Sequence, residues 1–190
     1  MSFSVFGYGS LVNIATLPPY QAVQRASVKG WRRAWRASSA TPLGGVCALS
    51  VVEDPDAEID GVVVTFDDAT WPTIAAREHR YDPLDLVHEG ETITIWRASA
   101  GFDHFGDAAH PIHLTYVDCT LQGFLKEFGE AGVARFMATT DGWHVPIIDD
   151  RATPRYPRAQ QLSNDERKLV DRMLNGVDAR VRKAEDGALP

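Results

Sequence analysis

The sequence predicts an α+β protein, β-rich over its first two-thirds and helical over its last third. Three observations carry this expectation. Short apolar or alternating runs bounded by turn residues fill the chain up to Val117, apolar residues recur at helical spacing from Leu121 onward, and the N-terminal strand runs directly into a glycine turn. That first strand covers residues 3–6 and opens at Gly7-Tyr8-Gly9-Ser10-Leu11. A second strand is expected over 28–37, where Trp31 and Trp35 stand among arginines. Apolar strands over 45–52 and 59–66 follow, separated by the acidic turn Glu53-Asp54-Pro55-Asp56. A helix is expected to start within Asp68-Ala69-Thr70-Trp71-Pro72, capped by Thr70 or Asp68, and to end at Asp82-Pro83. Residues 91–97 alternate cleanly, with Ile93 and Ile95 opposing Thr92, Thr94 and Trp96, and 112–117 read as a further strand. Leu121, Phe124, Leu125 and Phe128 then mark an amphipathic helix closed by Gly129. Ser163 and Glu166 open a last helix in capping-box spacing, with the stripe Leu169, Val170, Met173, Leu174 and Val177. The tail from Ala184 is expected to fray.

Composition narrows the function classes. A chain of 190 residues with 44% hydrophobic and 24% charged residues suits one soluble globular domain, with a core of about 3–120 and a helical extension of about 121–183. The balance of 26 acidic against 19 basic residues argues against a general nucleic-acid binder. Two cysteines, Cys47 and Cys119, have no metal or redox spacing and fit a reducing setting. The first 24 residues carry no Lys or Arg, so a secretory leader is not expected, and no apolar run approaches the ~20 residues that cross a bilayer. The expectation is a soluble, cytoplasmic protein with no membrane partner.

Two local features carry chemistry. A glycine turn straight after a strand directs backbone N–H groups into a concavity that holds a carboxylate, phosphate or oxyanion. A dinucleotide fingerprint would require glycine where Val12 stands, and no phosphate-loop Lys-Ser/Thr follows, so the turn suits a small anionic group and not a nucleotide. The second feature lies on the helix that starts near Trp71. Trp71, Ile74, Ala75 and Glu78 share one face at i, i+3, i+4 and i+7, Tyr81 continues it, and Arg77 and Arg80 point elsewhere. A carboxylate on an apolar face is desolvated unless paired, which raises its pKa and suits it to proton transfer. The alternative for Glu78 is a place at the edge of the stripe, ion-paired to an arginine.

The N-terminal Tyr8-Gly9-Ser10-Leu11 after a strand, followed about 70 residues later by Arg77-Glu78 and Tyr81, resembles the γ-glutamylcyclotransferase-like superfamily. This group includes γ-glutamyl-amino-acid cyclotransferases, ChaC-type enzymes specific for glutathione, and plant avirulence-induced-like proteins. The resemblance spans residues 3–120. It implies a small mixed β-barrel with flanking helices and an enzyme that cleaves a γ-glutamyl amide by intramolecular cyclisation. The products would be 5-oxoproline and an amine or amino acid, with no metal, cofactor or nucleotide. By the same resemblance, Tyr8, Gly9, Ser10 and Leu11 would cradle a small γ-glutamyl substrate and Glu78 would be the catalytic proton shuttle. Tyr81 and Tyr116 are added as substrate contacts, Tyr116 from the expected strand 112–117 and otherwise a core aromatic. Glutathione-specific members continue the motif with Ile-Trp, where this chain has Val12-Asn13. The segments Ala138-Thr139-Thr140-Asp141-Gly142-Trp143 and Pro154-Arg155-Tyr156-Pro157 match nothing in the pattern.

Other constellations are weaker. His104, His110 and His113 lie near Asp103 and Asp107 without a metal-binding helical spacing, and read as a polar loop. Cys47 lies in an apolar run where a thiol is inert, and Ser10 has no neighbouring histidine to activate it. Trp31-Arg32-Arg33-Ala34-Trp35-Arg36 alternates faces on a strand more simply than it reads a nucleic acid. A noncatalytic small-ligand binding module of the same fold is the alternative to an enzyme, and the desolvation of Glu78 favours the enzyme.

Overall fold

A computed structural model describes residues 1–41, 44–177 and 179–184, so the tail expected to fray lies, apart from Ala184, outside the described residues. The centre of the fold is a long antiparallel hairpin of β2 (Ala22–Thr41) and β3 (Gly44–Asp67). Strand β1 (Ser2–Gly7) pairs antiparallel with the C-terminal end of β3. On its other side β1 runs parallel to β5 (Glu91–Ala98), which pairs antiparallel with β4 (Tyr81–His88). Three short strands, β6 (Ile112–His113), β8 (Ile147–Asp149) and β9 (Val181–Lys183), extend the sheet in parallel from the other end of β3. Another, β7 (Thr140–Asp141), lies parallel to β2. The nine strands among the described residues form one mixed sheet along an open path, and no pairing among those residues joins its ends into a ring.

The helices are α1 (Trp71–Arg77), α2 (Leu114–Ala138) and α3 (Asn164–Asn175). Phe6, Trp35, Leu49, Phe66, Ile95 and Phe124 are fully buried in one hydrophobic core, each contributing about 1.5–3 kcal/mol of burial free energy. The capping box of α3 is formed, with the Ser163 hydroxyl accepting from Glu166 N–H and the Glu166 carboxylate accepting from Ser163 N–H. Its Leu169, Val170 and Leu174 join the same buried cluster as β1, with Met173 and Val177 packed at the margin. No helix among the described residues is long and apolar enough to cross a membrane.

Four local expectations are corrected. The acidic segment does not end a strand: β3 runs through it, and the register jump from Trp31↔Glu53 to Lys29↔Glu58 leaves Asp54–Ala57 as a bulge opposite Gly30. Pro55 is tolerated because a bulged residue has no ladder bond to donate. The helix from Trp71 stops at Arg77, with Glu78 as its C-cap, and Tyr81 to His88 are strand. Pro83 biases Asp82 to extended backbone and sits on β4, which among the described residues pairs with β5 alone. Thr70 stands at the N-cap position of α1, as expected, but makes no side-chain capping bond; the capping carboxylate is that of Asp67, which accepts from Ala69 N–H in the 3-10 turn before the helix.

Residues 112–117 are strand only through His113. Helix α2 starts at Leu114, seven residues before the apolar stripe that announced it. Gly129 does end that first helical segment, and a second continues to Ala138 across a kink. Gly129 has φ 66° and ψ −173°, a conformation open essentially to glycine, and a side chain there would meet no neighbour within 4 Å. Gly129→Ala is therefore expected to cost about 1–3 kcal/mol through backbone strain alone. A urea unfolding curve within error of wild type would show that the kink relaxes.

Candidate active site

Strand β1 delivers the chain to a turn at the centre of the molecule. The 3-10 turn Ser10–Val12 makes its first internal bond from Val12 N–H to the Gly9 carbonyl (2.9 Å), so the N–H groups of Ser10 and Leu11 have no acceptor inside the turn. Gly9 is glycine for space: a Cβ there would lie 3.1 Å from the Tyr116 hydroxyl and 3.3 Å from Leu49 Cδ1. The Tyr8 hydroxyl donates into the core, to the Trp96 carbonyl at 2.6 Å, and the Tyr8 carbonyl accepts from Arg33 Nε at 2.8 Å. Asn13 ties the end of the turn to α2, donating to the Cys119 carbonyl and to Gln122 Oε1.

Helix α1 ends beside this turn. Because the helix stops at Arg77, Arg77 and Glu78 both turn inward, with side chains only 7% and 12% exposed and 3.4 Å apart. The expectation that Arg77 points away is thus corrected: it also donates to Ser10 Oγ at 3.2 Å and to the Thr16 carbonyl at 3.2 Å. Burial pushes the Glu78 carboxyl above its ordinary range, and the cations of Arg77 and Arg158 pull it back only in part. Tyr81 is the first residue of β4 rather than a helix-face residue, and its hydroxyl donates to the Leu49 carbonyl at 2.8 Å. Tyr116 lies in the first turn of α2, not in a strand, edge-on to Trp35 and Tyr156. Burial raises the pKa of the Tyr8, Tyr81 and Tyr116 hydroxyls, and the Glu78 charge adds to the rise, so all three stay protonated donors at neutral pH.

A cavity of about 600 Å³ opens over these groups, large enough for a small organic molecule. Ser10, Glu78, Tyr81 and Tyr116 line it and also line an adjoining recess of about 30 Å³, roughly the space of one water molecule. Tyr8, Gly9 and Leu11 line only the recess. The far wall is the segment Arg155-Tyr156-Pro157-Arg158, which the N-terminal motif gave no reason to include. Its signal in the sequence was a rigid, proline-flanked pair of cations and an aromatic ring with no structural role evident from periodicity.

Asp150 holds that wall in place. Its buried carboxylate accepts from Thr115 N–H (2.8 Å), Thr115 Oγ1 (2.6 Å) and Arg155 N–H (2.8 Å), capping α2 from a distant segment while anchoring the loop. Next to it, Arg151 grips Asp118 through two bonds of 2.8 and 2.7 Å and Asp171 at 2.9 Å, fixing the loop to α2 and α3. Asp150→Ala strands three donors and removes the cap, with an expected loss of about 2–4 kcal/mol and a displaced cavity wall. A thermal midpoint unchanged by this substitution would show that the loop is held by other contacts.

The histidines separate. His110 Nδ1 is 3.0 Å from Asp107 Oδ1 and its ring lies edge-on to His104 in the outer loop. His113, in contrast, is 5% exposed, lines the cavity, and leaves Nε2 without a hydrogen-bond partner. No three His, Cys, Asp or Glu side chains among the described residues are grouped to hold a metal ion. Cys47 also reaches the cavity, but burial pushes its thiol up to about 11, which keeps it protonated. In β2 the alternation of faces puts Arg33 on the buried side with Trp31 and Trp35, while Arg32 and Arg36 pair with Asp141 and Asp103.

No protein-family model matches the chain, and no curated protein matches it in sequence. Solved structures do match it in shape. A γ-glutamyl cyclotransferase superposes with a TM-score of 0.54 at 14% identity, covering 90% of this chain and 99% of the other. The uncharacterized protein loc79017 from Homo sapiens gives 0.54 at 12% identity, covering 90% and 98%. YkqA from Bacillus subtilis gives 0.51 at 17% identity, covering 74% of this chain, which spans about half of that longer protein (56%). At these identities the likeness defines the fold: the chain has the γ-glutamylcyclotransferase-like fold, an α+β architecture around a mixed sheet with a helical C-terminal part.

Proposed function

We propose that this protein cleaves a γ-glutamyl amide by intramolecular cyclisation, with Glu78 as the proton shuttle. The observation that carries the reading is a desolvated carboxylate, Glu78, on the floor of a cavity shared with Ser10, at the edge of a turn whose leading N–H groups have no acceptor inside it. In the proposed reaction the α-amine nitrogen of the substrate bonds to its own γ-carbonyl carbon, and the bond from that carbon to the leaving nitrogen breaks. Counted from the neutral amine, the lactam nitrogen keeps one of its two hydrogens and Glu78 passes the other to the leaving nitrogen, which already carries one, so no water or other co-reactant is consumed.

The physical chemistry of each part fits this assignment. A peptide α-amine titrates near ~8 and a free Glu near ~4.3, so full proton transfer between them is uphill by about 5 kcal/mol, at ~1.36 kcal/mol per unit. Burial that raises the Glu78 pKa reduces that gap while leaving a carboxylate able to accept the proton and return it to the leaving nitrogen. The turn at Tyr8, Gly9, Ser10 and Leu11 supplies N–H groups for the substrate α-carboxylate or for the oxyanion that develops on the γ-carbonyl. The neutral hydroxyls of Tyr81 and Tyr116 border the same space and shape the bound conformer. Ring closure benefits because nucleophile and electrophile share one molecule, provided the pocket holds them in contact.

The test is release of 5-oxoproline, measured by mass spectrometry, from a panel of glutathione, γ-glutamyl dipeptides and γ-glutamylamines. Equimolar appearance of 5-oxoproline and the free amine from at least one compound is expected. A folded protein that releases none from any of them would leave a ligand-binding module of the same fold as the better reading.

A further inference from the structure

The charge of the cavity is opposite to that of the chain. The protein has 26 acidic and 19 basic residues, yet four arginines, Arg77, Arg80, Arg155 and Arg158, line the cavity against one carboxylate, Glu78. Arg77 is engaged with Glu78, Ser10 and Thr16. Arg155 and Arg158 form no ion pair with a carboxylate among the described residues. Arg158 rests on the Tyr156 ring at 5.4 Å and donates from Nε to its hydroxyl at 3.3 Å, while Arg155 is secured through its backbone N–H to Asp150. The buried His113, with Nε2 unpartnered, lines the same space. Four guanidinium groups against one carboxylate leave an excess of positive charge whose mutual repulsion a bound anion relieves. Their planar forks match carboxylates with two parallel hydrogen bonds each.

We propose that Arg155 and Arg158 select a substrate whose leaving half carries two carboxylates, so that the favoured substrate is a γ-glutamyl conjugate of an acidic amino acid. This rests on the cyclisation reading, in which the γ-glutamyl half occupies the Ser10 and Glu78 end and the leaving half faces the arginine wall. Two arginines without an ion-paired carboxylate among the described residues match two carboxylates, and a cationic or neutral amine finds no counter-charge on that wall. The volume accommodates both halves. Asp150 and the Arg151 bonds to Asp118 and Asp171 make the loop that carries both arginines a fixed wall.

The experiment compares γ-glutamyl-glutamate with γ-glutamyl-glutamine, which have nearly the same shape and differ by one charge. Two quantities are read for each: kcat/KM for 5-oxoproline release by the wild type, and Kd by calorimetry on Glu78→Gln. The acidic conjugate is expected to be favoured by roughly 10- to 100-fold in both, with the ratio shrinking at high salt. Arg155→Gln combined with Arg158→Gln should bring the ratio toward one, and Arg172→Gln, on α3 and paired with Glu130, should leave it where it is. Should the double variant not fold, the wild-type ratio and its salt dependence decide. Equal binding and equal turnover of the two conjugates overturn the selection while leaving cyclisation intact. Preferred binding of the acidic conjugate without 5-oxoproline release keeps the selective wall and removes the cyclisation reading. Failure of the acidic conjugate to bind overturns the proposal.

Discussion

Glu78→Gln is expected to lower 5-oxoproline release by about 10²- to 10⁴-fold, the range that a positioned general acid–base group contributes. Glutamine keeps the shape and can still hydrogen-bond, but it neither accepts the amine proton nor returns one to the leaving nitrogen. The loss should fall on kcat, with no loss of stability. Burial raises the folded-state pKa of Glu78 above its unfolded value, so folding favours the protonated form. The stabilisation from this group is fully present below the unfolded pKa of about 4.3 and is lost as pH rises through the folded value. At neutral pH the wild type therefore carries an unfavourable charge that the glutamine variant lacks. The variant should melt at or above the wild-type temperature at pH 7, with the two curves converging as the pH falls toward 4. In the wild type the acidic limb of kcat/KM should lie above the ordinary carboxylate range. Turnover within a few fold of wild type would remove Glu78 from the mechanism, and a lower melting temperature at pH 7 would mean that its charge is compensated in the fold.

Arg33→Ala is expected to cause the largest loss of stability, about 3–5 kcal/mol, or roughly 10 °C in melting temperature for a chain of this size. Arg33 is 0% exposed. Its guanidinium donates to the Tyr8 carbonyl (2.8 Å), Thr139 Oγ1 (2.8 Å) and the Asp60 carbonyl, and lies over the touching rings of Phe124 and Phe136, 5.0 and 4.9 Å from their centroids. No carboxylate among the described residues bonds it directly, because the Asp60 side chain is taken by Arg135 and Ser27. Burial pulls the guanidinium down to about 9, against the opposing pull of the Asp60 charge. Alanine would strand the buried Tyr8 carbonyl and two part-buried acceptors, and open a cavity beside the two phenylalanines. Arg33→Met, which refills the apolar volume, should regain part of the stability without restoring a donor to the Tyr8 carbonyl. Reduced turnover in a folded Arg33→Met would then separate placement of the glycine turn from packing. A melting curve for Arg33→Ala within 1 kcal/mol of wild type would show that other contacts hold the turn.

These two residues differ in how far the sequence reveals them. Glu78 could be singled out because a carboxylate at i+7 from Trp71 conflicts with the apolar face it shares, a conflict written in local spacing. Arg33 could not. The same alternation that correctly divides the faces of β2 places it among tryptophans, and only the carbonyls arriving from the turn after β1 and from β3 explain how a cation survives there. Ser10, Tyr81 and Tyr116 border one cavity with Glu78, yet Tyr81 and Tyr116 were expected on the wrong kinds of element. In each case the type of residue was a better guide than its assigned secondary structure.

What the sequence determined by itself was everything with a local cause. The first strand and its glycine turn, the alternation of β5, the break at Gly129 and the capping box of α3 depend on residues within a few positions of one another. The tertiary structure decided what depends on partners far along the chain. Helix α2 starts at Leu114 because Asp150 caps it from 35 residues away, overriding a β-like local run. Helix α1 ends early because Tyr81 to His88 pair with β5, which swings Arg77 and Glu78 inward together. The arginine wall faces Glu78 only because Asp150 and Arg151 pin its loop to α2 and α3. Hydrogen bonds and ion pairs of this kind are short in space and long in sequence, so spacing along the chain carries no trace of them.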